Sequence, residues 1–413
     1  MADIIMTLGV FVFFTVFFLL ALTLVLFVVS FFIRPKQYPL YYPKVSVIIP
    51  AYNEEKNIVS CLDTLFACGY PAKKLEVLVI DDGSSDTTRT LVKKYKNVRL
   101  LRQRHKGKVA ALNLGFENSS GEVIVTIDAD TLVEKEFLRE MVRPFSDPLV
   151  GATSGAVRVK NNDTLLGTFA HMEYLVNNLA RYNFSKVFNT GIWFFGSLAA
   201  YRWSALKQVN GFKYDTQAED WDVVLEIRRA GYGVLNVNSA IGYTVTPERF
   251  SDLFRQRVRW WMGGSQAIIK NKSLLAEKNP SLWYLFIHHY WWAFYALVSL
   301  PLIIYQVHYW MPVVLADIPL YLFRWFTLIG PFYVLSKIPE WGINIYNIFG
   351  VLAGIISLLF TVSAVIMQKE KVFLRHVLAV FFYFPYTILL NLAVAVSVIK
   401  HIFSFRKPSY FIK

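Results

Sequence analysis

Three stretches share one grammar: Val45-Ser-Val-Ile-Ile49 runs into Pro50-Ala-Tyr-Asn-Glu54, Leu75-Glu-Val-Leu-Val-Ile80 into Asp81-Asp-Gly-Ser-Ser-Asp86, and Val123-Ile-Val-Thr-Ile127 into Asp128-Ala-Asp130. Each is a short β-branched run that stops at a turn rich in acidic and small residues. Helix-like segments separate them, one to about Ala67, one beginning near Thr87 and one over Gly107 to Asn118, and Val98 to Leu101 adds a further strand. Alternating strands and helices predict a mostly parallel, helix-covered sheet. In such sheets ligands bind at the carboxyl ends of strands, where the acidic clusters fall.

Outside this region the chain changes character. Of its 413 residues 55% are hydrophobic and 17% charged, with a mean hydropathy of +0.39, which excludes a purely soluble protein. No charged residue interrupts the run between Asp3 and Arg34, longer than the roughly 20 residues a membrane-spanning helix needs. It is also longer than the about 7–15 apolar residues of a cleaved signal peptide, so it reads as an uncleaved anchor. Further spans are expected over Leu282 to Val307, Met311 to Leu335, Ile343 to Met367 and Val377 to Val398, the second weakened by Asp317 and Arg324. The count is five, or four if the weak segment is re-entrant.

The expected layout is therefore an anchor over 1–36, a globular domain over 44–246 and interfacial helices over 247–280. Membrane helices over 281–402 and a basic tail over 403–413 complete it. Net charge is +14, with Arg34, Lys36, Lys400, Arg406, Lys407 and Lys413 flanking apolar segments. The positive-inside rule puts these on the cytoplasmic side, which five spans satisfy. That layout leaves Lys369, Lys371 and Arg375 on the opposite face, against the same rule. No basic, aromatic-interleaved motif supports nucleic-acid binding. Cys61 and Cys68 form neither a disulfide framework nor a zinc site, and read as buried thiols.

Asp128 and Asp130 flank one small residue at a strand end, where two carboxylates can share a divalent cation. Hard oxygen ligands select Mg²⁺ or Mn²⁺, which bind through one or two carboxylates plus substrate phosphates. Taken singly, Asp82 reads as a helix cap, Tyr52 as a core edge and Lys108 as solvated surface; placed after successive strands they can serve a base and a diphosphate. Asp220 at a helix start is either a cap or a general base, the usual remedy for a poorly nucleophilic sugar hydroxyl. Trp261 and Arg257 read as interfacial anchors, while Arg259 and Trp260 can point into a site.

In order along the chain, Pro50-Ala-Tyr-Asn-Glu54, Asp81-Asp-Gly-Ser84, Gly107-Lys-Val-Ala-Ala-Leu-Asn113, Asp128-Ala-Asp130, Gly196-Ser-Leu-Ala-Ala-Tyr-Arg202, Glu219-Asp220 and Gln256-Arg-Val-Arg-Trp260 resemble the processive family 2 glycosyltransferases. Hyaluronan, cellulose, chitin and poly-N-acetylglucosamine synthases belong to that family. The resemblance covers about Val45 to Gly264 and implies a GT-A domain, a Rossmann-like α/β fold, inserted between transmembrane helices. It also implies inversion at the anomeric centre and synthesis at the cytoplasmic face coupled to extrusion.

The resemblance further implies a nucleotide pocket from Ala51, Tyr52, Glu54, Asp82, Lys108 and Asp128, with Lys108 near the diphosphate, Asp130 on the metal and Asp128 beside it. It makes Asp220 the base with Glu219 as neighbour. Gln256 and Arg259 then lie near the diphosphate, Trp260 beneath the acceptor sugar, and Gly196 and Ser197 beside them. The implied partners are a nucleotide-sugar donor, a growing polysaccharide or lipid acceptor, and membrane lipids. Two departures are visible: Ala218 stands where the family often has Thr, and no regulatory barrel is expected after the last helix. Transfer of one sugar to a polyprenyl phosphate is the alternative within the enzyme class, and an inactive membrane scaffold the alternative outside it. The Q-x-x-R-W run counts against the first, and intact Asp82, Asp130, Asp220 and Trp260 against the second.

Overall fold

The computed structural model describes residues 2–191, 193–277, 279–309, 311–343 and 345–404; the basic residues Arg406, Lys407 and Lys413 lie outside the described residues. The first strands form where the β-branched runs stand: β1 (Val45–Ala51), β2 (Leu75–Asp81), β3 (Val98–Arg102) and β4 (Val123–Ile127). β1 pairs in parallel with β2 and β4, and β2 in parallel with β3. Between them lie α2 (Ile58–Phe66), α3 (Thr88–Val92) and α4 (Lys108–Glu117), preceded by the long N-terminal α1 (Ala2–Phe32).

Alternate residues of β1 serve two cores, because successive strand side chains point to opposite faces. Val45, Val47 and Ile49 join the core containing α2, while Ile48 packs with Leu78, Ile80 and Ala111 on the α4 side. All four of these β1 side chains are fully buried, each contributing roughly 1.5–3 kcal/mol relative to exposure.

Four more strands extend the sheet: β5 (Leu132–Val133), β6 (Val150–Val159), β7 (Leu198–Arg202) and β8 (Gly233–Thr244). The order is β3-β2-β1-β4-β7-β6-β8-β5. β7 is antiparallel to both neighbours, so the second half of the sheet is mixed. Helices α5 (Phe137–Val142), α6 (Leu165–Phe188), α7 (Trp203–Gln208) and α8 (Glu219–Arg229) complete the domain. The 24-residue α6 begins at Thr164, whose side chain accepts from Gly167 N, and ends at left-handed Asn189.

An amphipathic α9 (Phe250–Lys270) leads to α10 (Pro280–Tyr309), and α13 (Ile345–Met367), α14 (Leu374–Phe381) and α15 (Tyr383–Ser404) follow a short pair, α11 (Ile318–Trp325) and α12 (Ile329–Trp341). Among the described residues four helices, within α1, α10, α13 and α15, are long and apolar enough to cross a membrane. The expected continuous span over Met311 to Leu335 is instead broken. Its two helices bend by 110°, with Phe326 to Leu328 at the break.

Aromatic contacts show that α1 and α13 run in the same direction: Phe14 and Phe17 meet Phe349, and Phe27 meets Phe360. Both helices end on α6, where Ser30 Oγ donates to Asn183 and the end of α13 packs on Met172, Leu175 and Leu179. The segment after α13 is bonded to the globular domain. Arg158 pairs with Glu370 at 3.1 Å, Gln368 Nε2 donates to Leu175 O at 2.7 Å, and Arg375 reaches Asn162. Lys369, Lys371 and Arg375 therefore lie on the same face as the domain, not opposite it. The bent α11–α12 pair has the geometry of either one broken span or a re-entrant turn.

Candidate active site

At the end of β4 the chain turns through Asp128 and Asp130, with Ala129 buried between them and Thr131 N donating to Asp128 O at 3.0 Å. Burial, reinforced by Asp128 and Glu54, pushes the Asp130 carboxyl up to about 6. Burial also raises Glu54, which sits after β1 and holds Asn57 Nδ2 at 2.9 Å. Carboxylates crowded in this way would be relieved by a cation. Among the described residues no cluster of three or more His, Cys, Asp or Glu side chains could hold a metal ion. The arrangement suits a hard cation that takes one or two carboxylates here and its remaining oxygens from phosphate and water.

Lys108 enters from the start of α4. Its Nζ lies 2.7 Å from Asp128 Oδ1 and 3.4 Å from Glu219 Oε1, spanning the ends of β4 and α8. Burial would lower its pKa, but Asp128 and Glu219 more than offset that and hold the ammonium above its ordinary value. Gly107, just before it, has φ +89, a conformation L side chains rarely adopt.

Asp220 occupies the first turn of α8. The cap position is Ala218, which makes no side-chain cap hydrogen bond. Asp220 instead accepts from Trp221 N at 2.9 Å and from Gly196 N at 2.8 Å. Burial and the neighbouring Glu219 carboxylate raise it to about 6, although Lys108 and the two N–H groups oppose the rise. Gly196 is required by proximity: a Cβ there would sit 2.5 Å from Asp220 Oδ2 and 2.6 Å from Asp220 Cβ. Ser197 follows it, half-buried, at the entry to β7.

The structure thus brings Lys108, Asp128, Glu219, Asp220 and Gly196 together, with Asp130 beside them. Asp82 and Tyr52 stand on the loops after β2 and β1. Asp82 is buried, and its carboxylate accepts from Gln103 Nε2 at 2.6 Å and from the backbone N–H groups of Lys106 and Gly107, both at 2.9 Å. Its direct work is to fold the loop that delivers Lys108. Tyr52, half exposed after Ala51, stacks on His105 of that loop with centroids 4.1 Å apart.

On α9, Arg259 is exposed and Trp260 retains 36% of its surface. Gln256 accepts from Arg257 Nη1 at 2.7 Å. Arg257 is not the interfacial anchor expected from sequence: it is 3% exposed and its Nη2 donates to Glu173 at 2.9 Å. Sequence reasoning also missed the contact that fixes α9 against the start of α8. Gln217 N donates to Gln266 Oε1 at 2.9 Å, and a Cβ at Gly263 would lie 2.6 Å from Ala218 N. Small residues at Gly263-Gly264 are the only trace of that approach in the sequence.

A parallel α/β half-sheet with paired carboxylates at β4 and an acidic helix start facing them defines a GT-A glycosyltransferase domain. Residues 46–209 match the model of glycosyl transferase family 2, and this part of the chain is a domain of that family. Poly-beta-1,6-N-acetyl-D-glucosamine synthase of Staphylococcus aureus is 30% identical over 235 residues, 55% of this chain and 56% of that protein. The enzyme of the same name from Staphylococcus epidermidis is 28% identical over 250 residues, 58% of this chain and 60% of that protein. The alignments thus span little more than half the length of these relatives. A mannosyltransferase from Pyrobaculum calidifontis, solved with GDP-Man and Mn²⁺, shares the fold across 97% of this chain and 99% of its own, with a TM-score of 0.63 at 21% identity.

Proposed function

We propose that the chain is a membrane-embedded, inverting glycosyltransferase that polymerises sugar from a nucleotide-sugar donor at the cytoplasmic face and passes the product into its membrane helices. The observation that carries this reading is Lys108 held between Asp128 and Glu219, with Asp220 fixed beside them. A donor diphosphate entering there meets one ammonium and a carboxylate pair able to hold Mg²⁺ or Mn²⁺. When bound, that ion would offset the diphosphate charge and stabilise the leaving nucleoside diphosphate. Asp130, with Asp128, is the residue to hold it.

Asp220 accepts the proton of the acceptor hydroxyl as its oxygen forms a bond to the anomeric carbon. The bond from that carbon to the diphosphate breaks on the opposite side, inverting the centre. A carboxylate near 6 suits this task, being ionised at neutral pH yet basic enough to take a proton. Lys108 and Arg259 orient the diphosphate, and Trp260 offers an indole face to the acceptor ring. Ala51, Tyr52, Glu54 and the loop folded by Asp82 shape the base end. The 30% identity to a poly-N-acetylglucosamine synthase favours an N-acetylglucosamine polymer and therefore a UDP donor.

The deciding experiment supplies the purified full chain with Mn²⁺ or Mg²⁺ and labelled UDP-N-acetylglucosamine, UDP-glucose, UDP-glucuronate or GDP-mannose, with products sized on a gel. Metal-dependent long polymer is expected. A single addition to a lipid acceptor would replace polymerisation with polyprenyl-phosphate transfer, and no transfer from any donor would overturn both.

A further inference from the structure

Arg257 and Trp260 are three residues apart on α9 and so share a helix face. The Arg257 guanidinium carbon lies 4.4 Å from the Trp260 ring centroid, covering one face of the indole. Such a cation is attracted by the ring's electron-rich face. Burying a guanidinium is costly unless an anion compensates it. Glu173, on α6 and 84 residues earlier, supplies that anion through Oε2. The same oxygen accepts from Tyr386 OH, on α15, at 2.6 Å. Neighbouring Tyr174 is buried and lies within the electrostatic field of Asp128, Asp130 and Arg257. One turn of α6 thus touches both the Q-x-x-R-W helix and the membrane helix α15.

We infer that Glu173 is a positioning residue for the acceptor platform. By fixing Arg257 against one face of Trp260 it presents the opposite face to the acceptor sugar, and through Tyr386 it ties that platform to α15. This rests on the reading of Trp260 as an acceptor contact. An anchor that served only to hold α9 in the membrane would need neither a buried cation beneath the indole nor a shared carboxylate reaching α15.

The test uses the full chain with whichever of the four donors the wild type turns over. Glu173→Gln removes the charge while keeping the shape. Sugar incorporation is expected to fall by about 10- to 100-fold, since small displacements of a reacting group cost about that much. Product chains should shorten, whereas Mn²⁺-dependent UDP or GDP binding and donor hydrolysis stay within about two-fold of wild type, as a donor site untouched by the change requires. Because Glu173 acts through Arg257, the double variant Glu173→Gln with Arg257→Gln should lose no more than Arg257→Gln alone. Wild-type incorporation in Glu173→Gln, or additive losses in the double variant, would overturn the inference while leaving the transferase reading intact. If Glu173→Gln is not recovered folded, Tyr386→Phe decides. Shorter products with unchanged nucleotide binding support the tie to α15, and wild-type product length refutes it. A wild type that transfers no sugar brings down the functional reading, and this inference with it.

Discussion

Replacing Gly196 by alanine places one methyl group where Asp220, the proposed base, is held. The new Cβ would lie 2.5 Å from Asp220 Oδ2, 2.6 Å from Asp220 Cβ and 2.8 Å from Cγ. Contact with Cβ as well as the carboxylate means that a rotation of the Asp220 side chain cannot relieve the clash, and the start of α8 or the 193–197 loop must shift by close to 1 Å. That movement breaks the 2.8 Å bond from Gly196 N, a hydrogen bond to a charged group worth about 1.5–3 kcal/mol. A base displaced by about 1 Å costs about 10²-fold in rate. The lost N–H also stabilised the ionised form, so the acid limb of the rate profile should move above its wild-type position near pH 6. The assay is turnover as a function of pH at saturating donor, alongside calorimetric nucleotide binding with Mn²⁺. Turnover should fall with binding preserved. Wild-type turnover with an unmoved acid limb would show that Gly196 does not hold the catalytic base.

Asp220→Asn should leave nucleotide affinity within a few-fold while turnover drops by about 10²-fold or more; near-normal turnover would reduce Asp220 to a stabiliser of its helix start. Asp130→Asn should abolish the Mn²⁺ dependence of nucleotide binding, measured by titration with and without the ion. In the wild type, metal affinity should weaken as pH falls through about 6, because the raised Asp130 carboxyl takes a proton there and a protonated ligand cannot serve; a flat profile from pH 5 to 8 would count against it. Single cysteines at Arg34 and Lys369 should react with an impermeant reagent from the same side of sealed vesicles; labelling from opposite sides would contradict the parallel course of α1 and α13.

The parallel half of the sheet was legible because three of its four strands, β1, β2 and β4, are β-branched runs whose ends carry Asp or Pro, so a local pattern and the ligand edge coincide. The second half is not written locally. β6 reads Val-Gly-Ala-Thr-Ser-Gly-Ala-Val-Arg-Val and β7 Leu-Ala-Ala-Tyr-Arg, sequences rich in small residues with weak strand preference. They are strands because β4 and β8 present partners to them across long sequence separations. The site divides in the same way. Lys108, Asp128, Asp130 and Asp220 follow recognisable turns, and their convergence depends on strand order that the motifs imply. Glu173 and Arg257 gave no such signal: a glutamate inside an aromatic-rich helix and an arginine at a membrane boundary each have a commonplace local reading, and only their 2.9 Å contact distinguishes them.

α6 has two apolar faces, and that bears on how the protein can be handled. One face lies on the sheet through Ala170 and Tyr174, while Met172, Leu175 and Leu179 are covered by α13. A fragment cut at Thr246 would keep every acidic residue of the site yet expose that second face to water, together with His171 and Asn178, buried in the full chain. Such a fragment should clump rather than yield a soluble enzyme. By the same logic a harsh detergent that pries α13 from α6 would disturb the floor under Tyr174. Loss of activity on extraction would then report a loosened foundation and not an absent lipid.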